Sequence, residues 1–142
     1  MKIGLACDHA GFDYKEKIKK YLSRIDIKIN DYGCYSLESV DYPDYAHKLA
    51  KSVENKSNEL GIQFCGTGNG INMTANKHPG IRAALCWNTH IAEQARLHNN
   101  ANILTMPARH LEWEEVEKIV DIFLNTKFEG GRHEFRVKKI RI

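Results

Sequence analysis

The sequence predicts one α/β domain, a Rossmann-like three-layer sandwich in which a five-stranded, mostly parallel sheet lies between two layers of helices. Apolar and amphipathic segments alternate about five times, the order that places crossover helices on both faces of a parallel sheet. Apolar residues make up 42% of the 142 residues, enough for a core, and this length fits a single domain. We therefore expect residues 1–142 to form one unit with no internal repeat or linker.

The first half of the chain predicts two strands and two helices. The run from Lys2 to Cys7 is short and apolar, and the segment from Asp8 to Gly11 breaks it. From Tyr14 to Ile25 apolar residues recur at helical spacing, so that the lysines between them, Lys15 included, fall largely on the solvent side. The predicted elements are a strand at 2–7, a helix at 14–25, a strand at 25–32 and a helix that begins at 42–44 and closes at 55–58.

The second half predicts three further strands. Its apolar runs are separated by turn residues such as Pro79 and by Asn88 or Thr89, either of which can cap a helix. Apolar residues from Trp113 to Leu124 form the final helical face. The predicted elements are a strand at 60–65, a short helix at 72–77, a strand at 81–86, a helix that ends at 99–100, a strand at 101–106, a helix at 113–124 and a tail at 129–142.

Composition argues against several classes of function. The net charge of +3 gives no case for general nucleic-acid binding, and the sequence has no apolar run of about 18 residues that would span a membrane. The N-terminal run reaches Asp8 too soon for a signal peptide, so we expect a cytoplasmic protein. The four cysteines form neither a CxxC pair nor a zinc spacing, and we expect free thiols, with Cys7 and Cys86 acting as small buried hydrophobes.

The most informative stretch is the segment from Cys65 to Gly70, CGTGNG, which follows the third predicted strand. It is not a phosphate-binding P-loop, because no Gly-Lys-Ser/Thr closes it, and its glycine spacing does not fit a dinucleotide fingerprint. The glycines alone leave a structural turn and a ligand-binding loop about equally supported. The cysteine favours the ligand-binding loop, because it puts a thiol beside flexible backbone and a helix N-terminus.

A thiol in this position has two chemical uses. The thiolate is the reactive form, and a positive helix end lowers a thiol pKa from about 8.5. As a nucleophile it would need a nearby histidine, for which His9, His90 and His98 are candidates. As a base that takes a proton next to a carbonyl group, it would need donors for the developing enediolate oxygen, and three glycines and Thr67 offer them.

Other polar residues have both a structural and a functional interpretation. Asp8 can be a helix cap that has His9 only as its neighbour in the chain. Alternatively, the two residues can form a catalytic pair at the end of the first strand. His98 lies on an apolar helical face, which suits a core histidine, although a helix C-terminus also stabilises an imidazolium that acts as an acid. Single arginines usually lie on the surface, but a cluster can bind phosphate; the candidates are Arg109, Arg132 and Arg136. These residues predict a small anionic substrate without identifying it.

Six segments together resemble the type B ribose-5-phosphate isomerases. They are Cys7-Asp8-His9-x-Gly11-Phe12, Asp41-Tyr42-Pro43-x-Tyr45-Ala46, Cys65-Gly66-Thr67-Gly68-x-Gly70, Ala75-Asn76-Lys77-x-x-Gly80-Ile81-Arg82-Ala83, His98-Asn99-x-x-Asn102 and Glu129-Gly130-Gly131-Arg132-His133-x-x-Arg136-Val137. The matches run in order along nearly the whole chain. The same superfamily includes galactose-6-phosphate isomerase subunits and allose-6-phosphate isomerases.

The resemblance implies an aldose–ketose isomerase for ribose 5-phosphate and ribulose 5-phosphate. It makes Cys65 the base that moves a proton between C1 and C2, and His98 the acid that opens the furanose ring. It assigns the enediolate oxygens to the loop residues Gly66, Thr67, Gly68, Asn69 and Gly70. It places Asp8 and His9 against the sugar, Asn99 against a hydroxyl or oxyanion, and the phosphate on Arg109, Arg132 and Arg136, with His133 as a further candidate.

The resemblance also implies that neither a metal nor a nucleotide cofactor takes part. It implies homodimers or homotetramers whose active sites are built from two chains, and it gives the tail at 129–142 a role in a neighbour's site. The helix that carries His98 is expected to end at the edge of the sheet opposite Cys65. We therefore expect some site residues to come from the partner chain.

Three other functions fit parts of the pattern. A related isomerase for six-carbon sugar phosphates, such as allose 6-phosphate or galactose 6-phosphate, or for a four-carbon one, would share the same residues. A non-catalytic sugar-phosphate sensor would share the fold, but the presence of Cys65 and His98 argues against it. A thiol redox protein is disfavoured, because no CxxC motif supplies a resolving cysteine.

Overall fold

The computed structural model describes residues 1–141, and Ile142 lies outside the described residues. The strands are β1 (Lys2–Cys7), β2 (Lys28–Asp31), β3 (Leu60–Cys65), β4 (Ala83–Leu85) and β5 (Ile103–Pro107). They form one sheet in the order β2-β1-β3-β5-β4, in which each neighbouring pair is parallel. The predicted five-stranded sheet is therefore confirmed, and it is parallel throughout.

Helices cover both faces of the sheet. They are α1 (Phe12–Arg24), α2 (Tyr42–Glu54), α3 (Asn69–Ala75), α4 (Thr89–Asn99), α5 (Trp113–Asn125) and α6 (Arg132–Lys138). The buried side chains of α1, α4 and α5 share one core with the sheet, and those of α2 and α3 fill the other face. This is the predicted three-layer sandwich. Within residues 1–141, no helix combines the length and apolar character needed to cross a membrane.

The order of the strands creates a crevice at the carboxyl ends of β1 and β3. The chain leaves β1 toward β2 on one side of the sheet and leaves β3 toward β4 and β5 on the other. Open parallel sheets bind ligands at such a switch point. Cys7 pairs in register with Phe64, and the backbone N–H of Asp8 donates to the Phe64 carbonyl at 3.2 Å. Asp8 and Cys65 therefore end neighbouring strands.

Several observed boundaries differ from the predicted ones. The edge strands β2 and β4 are shorter than predicted, because an edge strand has one neighbour and its ends find other partners. The N–H of Arg82, for example, donates to the side chain of Asn102 at 2.8 Å instead of to a strand. Helix α3 begins at Asn69, three residues before the predicted start, because the loop turns directly into it. The predicted tail contains α6, which the sequence pattern did not indicate.

The prediction for Lys15 is wrong, because its side chain is fully buried. Its ammonium group lies 2.6 Å from a carboxylate oxygen of Asp31 and 2.9 Å from one of Glu16. Lys19 pairs with the same two carboxylates at 2.8 Å. Burial would raise the pKa of Asp31, but hydrogen bonds from the two lysines outweigh it and lower the pKa. Pairing is what allows a charged residue into the core.

Candidate active site

Cys65 is the last residue of β3, and only 4% of its surface is exposed. Its side chain lies on the sheet face covered by α2 and α3, where it packs with Ala46 and Ile71. The four cysteines of the chain are all free, as predicted, and all are buried, which was predicted for Cys7 and Cys86; they are Cys7, Cys34, Cys65 and Cys86. Cys65 is the one that opens onto the glycine loop at the carboxyl edge of the sheet.

Two glycines of the loop occupy positions that no other residue fits without strain. Gly68 has a φ of +78°, and a Cβ on it would lie 2.4 Å from the side chain of Leu85. A Cβ on Gly70 would lie 2.4 Å from the ring of Tyr42. The loop is closely packed at these two positions, and the N–H of Asn69 donates to the hydroxyl oxygen of Thr67 at 3.3 Å. The glycines therefore bring the backbone against its neighbours and into the first turn of α3.

The Cys65 thiol is balanced between two opposing influences. Burial raises its pKa, and the negative charge of Asp8 acts in the same direction. The backbone N–H groups of Ile71, Gly68 and Thr67 act against this and stabilise the thiolate. The net pKa is raised, so the predicted lowering by the helix end is wrong for the isolated chain. The N–H donors are in place, but the desolvation of the thiol is larger.

Asp8 caps a short helical turn at His9–Gly11, as the structural interpretation predicted. Its carboxylate accepts from the N–H groups of Ala10 and Gly11 at 2.9 and 3.2 Å. Nδ1 of His9 accepts from the N–H of Val40 at 3.2 Å, so the proton of the neutral ring is on Nε2. Both side chains are thereby fixed at the carboxyl edge, and the free nitrogen of His9 can donate to a ligand.

Arg109 lies beside the loop. Its N–H donates to the Gly66 carbonyl at 3.1 Å, and a Cβ on Gly66 would lie 3.2 Å from its guanidinium group. The side chain is otherwise exposed. Arg109 thus places a positive charge next to the residue that follows Cys65.

Tyr42 is a residue of this edge that the sequence analysis did not assign to the site. Its ring covers Gly70, and 38% of its surface is exposed. The available signal was its position in the Asp41-Tyr42-Pro43 segment, which starts α2 near the carboxyl edge. The side chains of Asp8, His9, Tyr42, Cys65 and Arg109, with the loop 66–70, are called the carboxyl-edge group below.

His98 and Asn99 lie at the opposite edge of the sheet. The carbonyl of Asn99 accepts from Nε of Arg82 at 3.1 Å, and Arg82 precedes the first residue of β4. The carbonyl of Arg82 accepts from the N–H of Asn102 at 3.0 Å, and Asn102 bonds in turn to Gly61 near the start of β3. These contacts place the end of α4 where the strands begin. The expectation that His98 and Cys65 lie at opposite edges is confirmed.

His98 takes part in a small charged cluster. Its ring stacks on that of His133 with a centroid distance of 4.1 Å and an angle of 11°. A carboxylate oxygen of Glu129 lies 3.7 Å from Nε2 of His98 and 3.5 Å from Nε2 of His133. The His98 side chain is 37% exposed, so the core-histidine interpretation is wrong. Burial of His133, with His98 and Arg132 nearby, lowers the pKa of this ring.

The same three side chains have the composition of a metal site. Their ligand atoms lie within 4.8 Å of one another. The two rings are nearly parallel, however, and ring nitrogens bind a metal in the plane of the ring. Stacked rings direct their lone pairs side by side and not toward one point. The arrangement therefore argues against metal ligation by these three residues.

The arginines of α6 complete this edge. Arg132 and Arg136 are exposed, and Nε of Arg132 lies 3.5 Å from Nε2 of His133. The three arginines assigned to one phosphate are therefore divided within a chain, because Arg109 belongs to the carboxyl edge. His98, Asn99, Arg132, His133 and Arg136 are called the amino-edge group below.

A cavity of about 1070 Å³ lies at the amino edge, between α6 and the segment 76–82. Four basic side chains line it, those of Lys77, Arg82, Lys138 and Arg141. It does not include Cys65. The large concave surface of the single chain is therefore separate from the thiol.

The chain is similar to known proteins over nearly its whole length. Residues 3–140 match the family model described as Ribose/Galactose Isomerase. Ribose-5-phosphate isomerase B of Escherichia coli is 41% identical over 139 residues, covering 98% of this chain and 93% of that protein.

Solved structures match equally well. A ribose 5-phosphate isomerase from Thermotoga maritima has a TM-score of 0.97 and 52% identity, covering 99% of this chain and 97% of that one. Ribose-5-phosphate isomerase B from Mycoplasma genitalium, solved with bound ribulose 5-phosphate, has a TM-score of 0.94 and 42% identity, covering 98% and 93%.

Proposed function

Because the chain belongs to the ribose/galactose isomerase family, we propose that it is an aldose–ketose isomerase that interconverts ribose 5-phosphate and ribulose 5-phosphate. The observation that carries the proposal is the position of the Cys65 thiol, which ends β3 directly before the glycine loop and packs with Ile71, where the N–H groups of Thr67, Gly68 and Ile71 act to lower its pKa. A base next to preorganised donors is the arrangement that proton transfer beside a carbonyl group requires.

In the proposed proton transfer, the Cys65 thiolate takes the C2 proton of the open-chain aldose. The electrons of the C2–H bond form the C1–C2 double bond of an enediolate, and the negative charge moves to the C1 oxygen. The loop N–H groups and the Thr67 hydroxyl donate to the enediolate oxygens, which lowers the energy of the charged intermediate. The proton of the C2 hydroxyl then moves to the C1 oxygen, and the thiol returns its own proton to C1 as the C2 oxygen anion forms the ketone, which restores the thiolate.

The reaction is internally balanced. Carbon C1 is reduced and C2 is oxidised within the same molecule, so the proposal includes no external oxidant, reductant or cofactor. The raised pKa of Cys65 makes the thiolate a stronger base once it forms. Positive charges brought close to the thiol would increase the thiolate fraction, and these are available from the amino-edge group of a second chain.

We propose that each active site combines the carboxyl-edge group of one chain with the amino-edge group of another. His98 of the partner subunit would open the furanose ring as an acid, and Asn99 of the partner subunit would bind a hydroxyl. The phosphate would lie between Arg109 and the partner's Arg132 and Arg136. The division of these residues between opposite edges of one sheet supports this arrangement.

Exposed apolar side chains also support association of chains. Phe135 and Ile140, on and just after α6, are 72% and 55% exposed, and Met73 and Trp87 are 65% and 53% exposed. Exposed apolar surface of this kind commonly marks a protein interface. The cavity beside α6 offers a concave seat for a second copy. We infer a homodimer, or a homotetramer built from such dimers, in which residues 129–142 of one domain contribute to the neighbour's site.

The proposed setting is carbohydrate metabolism in the cytoplasm, in the step that joins an aldopentose phosphate to its ketose. The sugar and its phosphate are recognised by polar and cationic side chains at the carboxyl and amino edges. The domain as a whole, residues 1–142, would serve this one reaction.

The test is an isomerase assay in D2O with ribose 5-phosphate, allose 6-phosphate and galactose 6-phosphate. We expect the highest kcat/KM with ribose 5-phosphate and solvent deuterium at the carbon that receives the proton. A higher kcat/KM with allose 6-phosphate or galactose 6-phosphate would contradict the proposed substrate and indicate a related isomerase for six-carbon sugar phosphates. Binding of all three without deuterium incorporation would contradict an enzyme and favour a sugar-phosphate sensor.

A further inference from the structure

A chain of buried polar side chains lies directly beneath the candidate active site. Gln63 is fully buried in the middle of the central strand β3, between Ile62 and Phe64. It pairs in register with Thr105 of β5, which is also fully buried. Their register neighbours on β1 and β4 are the apolar residues Ala6 and Leu85, so a polar pair is not needed to pack this region.

The two side chains are hydrogen-bonded to each other and to α3. Nε2 of Gln63 donates to the Thr105 hydroxyl at 2.8 Å and to the carbonyl of Ile71 at 3.2 Å. The Thr105 hydroxyl donates to the side-chain oxygen of Asn72 at 2.8 Å. The central strands are thus tied to two successive residues in the first turns of α3.

This tether acts next to the Cys65 thiol. Gln63 and Cys65 are two residues apart on β3, so their side chains lie on the same face of the sheet. Ile71 contacts both residues, since its carbonyl accepts from Gln63 and its side chain packs with Cys65, and its N–H acts to lower the pKa of this thiol. The distance between α3 and β3 at Ile71 therefore sets how close the Ile71 N–H lies to the Cys65 thiol.

Helix α3 is short enough to depend on such a tether. It has seven residues, and an isolated helix of this length is unstable in water. Its N-cap residue, Gly68, supplies no side-chain hydrogen bond. Within residues 1–141, Oε1 of Gln63 is the buried side-chain atom without a hydrogen-bond partner, so the network is not arranged to satisfy every polar group. The network satisfies instead the two groups that bond to α3, which are Nε2 of Gln63 and the hydroxyl of Thr105.

We propose that Gln63 and Thr105 are positioning residues that hold α3 in the register at which the Ile71 N–H faces Cys65, and that they thereby set how readily this thiol ionises. They touch neither the sugar nor the reacting atoms. The inference rests on the proposed function only where it concerns turnover, because ionisation of the thiol is a property of the free protein.

Substitutions at these two positions leave the other titratable groups near the thiol and its loop unchanged. The carboxylate of Asp8 at the end of β1 raises the pKa of the thiol, and the guanidinium of Arg109 and the phenol of Tyr42 lie against the loop at Gly66 and Gly70. Gln63 and Thr105 carry no charge, so replacing them adds and removes no electrostatic interaction between ionised groups. A change in thiol ionisation would then report on the tether.

The experiment measures alkylation of Cys65 by iodoacetamide as a function of pH, with peptide mass spectrometry to identify the modified cysteine and Cys65→Ser as the blank. We expect Gln63→Leu and Thr105→Val to move the midpoint of the profile to higher pH. At neutral pH the rate is expected to fall roughly two- to tenfold, the range of one net hydrogen bond. Thr105→Ser keeps the hydroxyl and is expected to retain the wild-type profile.

Folding is checked by thermal unfolding of each variant. If Gln63→Leu does not fold, Thr105→Val with its Thr105→Ser control still decides the question. Wild-type alkylation profiles in folded Gln63→Leu or Thr105→Val would overturn the proposal, as would an equal change in Thr105→Ser. The two effects are also expected to be less than additive in the double variant, because both substitutions break one network.

Turnover provides the second measurement. With ribose 5-phosphate, we expect Gln63→Leu and Thr105→Val to lower kcat with KM unchanged. Because alkylation needs no substrate, the two proposals fail separately. A shifted alkylation profile without isomerase activity would contradict the proposed function alone, whereas an unshifted profile in an active enzyme would contradict the positioning role alone.

Discussion

Cys65 and His98 lie at opposite edges of the same parallel sheet. Cys65 ends β3, and His98 lies in the last turn of α4, whose end contacts the residues just before β4 and β5. A helix that returns between parallel strands runs against them, so this separation is a property of the fold. A reaction that uses both side chains therefore requires two chains, which makes the separation the main structural argument for a shared active site.

Replacing the proposed base is expected to remove turnover without removing binding. We expect Cys65→Ala to lower kcat by about 10²–10⁴-fold, the usual contribution of a general base, with substrate affinity retained. Steady-state kinetics and calorimetric binding of ribulose 5-phosphate measure the two effects. Cys86→Ala is the matched control, because this thiol is buried in the core on the other face of the sheet. Near-normal turnover of Cys65→Ala would exclude it as the base.

The phosphate assignment makes a different kinetic prediction. Arg132→Ala is expected to raise KM strongly, because it removes a charged donor that the phosphate uses in both the ground state and the transition state. Arg24→Ala, an exposed arginine at the end of α1, is the control and is expected to have no effect. An unchanged KM in Arg132→Ala would remove this residue from the phosphate site.

Alanine substitutions at Gly68 and Gly130, which have similar φ angles, distinguish the cost of backbone strain from the cost of a steric clash. Gly68 and Gly130 have φ values of +78° and +73°, but only at Gly68 would a Cβ meet another side chain. We expect Gly130→Ala to cost about 1–2 kcal/mol, the penalty of a left-handed residue, and Gly68→Ala to cost more. Urea unfolding measures both. Equal costs would show that the contact with Leu85 relaxes freely.

The buried pair of Lys15 and Asp31 is expected to make stability depend on pH. The pKa of Asp31 is lowered in the folded protein, so its contribution is complete above the unfolded value of about 3.9 and is lost as the pH falls through the folded pKa. We expect Asp31→Asn to be destabilised at neutral pH, by less than the roughly 3–5 kcal/mol of a broken buried pair because Glu16 still contacts Lys15.

The control for this pair is Lys15→Met, which leaves Asp31 paired with Lys19 and keeps an unbranched side chain in the core. It is expected to be milder than Asp31→Asn. Urea unfolding between neutral and acidic pH measures both variants. If the stability of Asp31→Asn falls at acidic pH as much as that of the wild type, carboxylates other than Asp31 cause the loss of stability.

The periodicity of the sequence predicted the sheet and five of the six helices, because each of them buries a regular apolar face. The same rule failed at Lys15, whose position on the helix looked polar but faces the β2 edge, where Asp31 neutralises it. It also missed α6, which buries mainly His133 and follows two glycines with positive φ. Contacts that depend on partners far along the chain do not appear in a local pattern.

The positions of the candidate site residues in the fold were predictable, and the electrostatics of the Cys65 thiol were not. The Cys65 loop, the Asp8 cap and the edge occupied by His98 followed from strand ends and helix direction. The direction of the Cys65 pKa did not, because the burial of the thiol depends on how closely α2 and α3 pack against it. Gln63 gave no signal of its contact with Ile71, since a single polar residue within a strand does not indicate its partner.

The most direct test of the shared site uses pairs of chains with different substitutions, co-expressed with two tags and purified as heterodimers. Combining Cys65→Ala with His98→Asn leaves one site with both groups intact, so about half of the wild-type activity is expected, while each parent homodimer is inactive. Combining wild type with the Cys65→Ala/His98→Asn double variant damages both sites and is expected to abolish activity. The reverse outcome, an inactive first heterodimer and a half-active second one, would place Cys65 and His98 in the same chain's site and contradict the account.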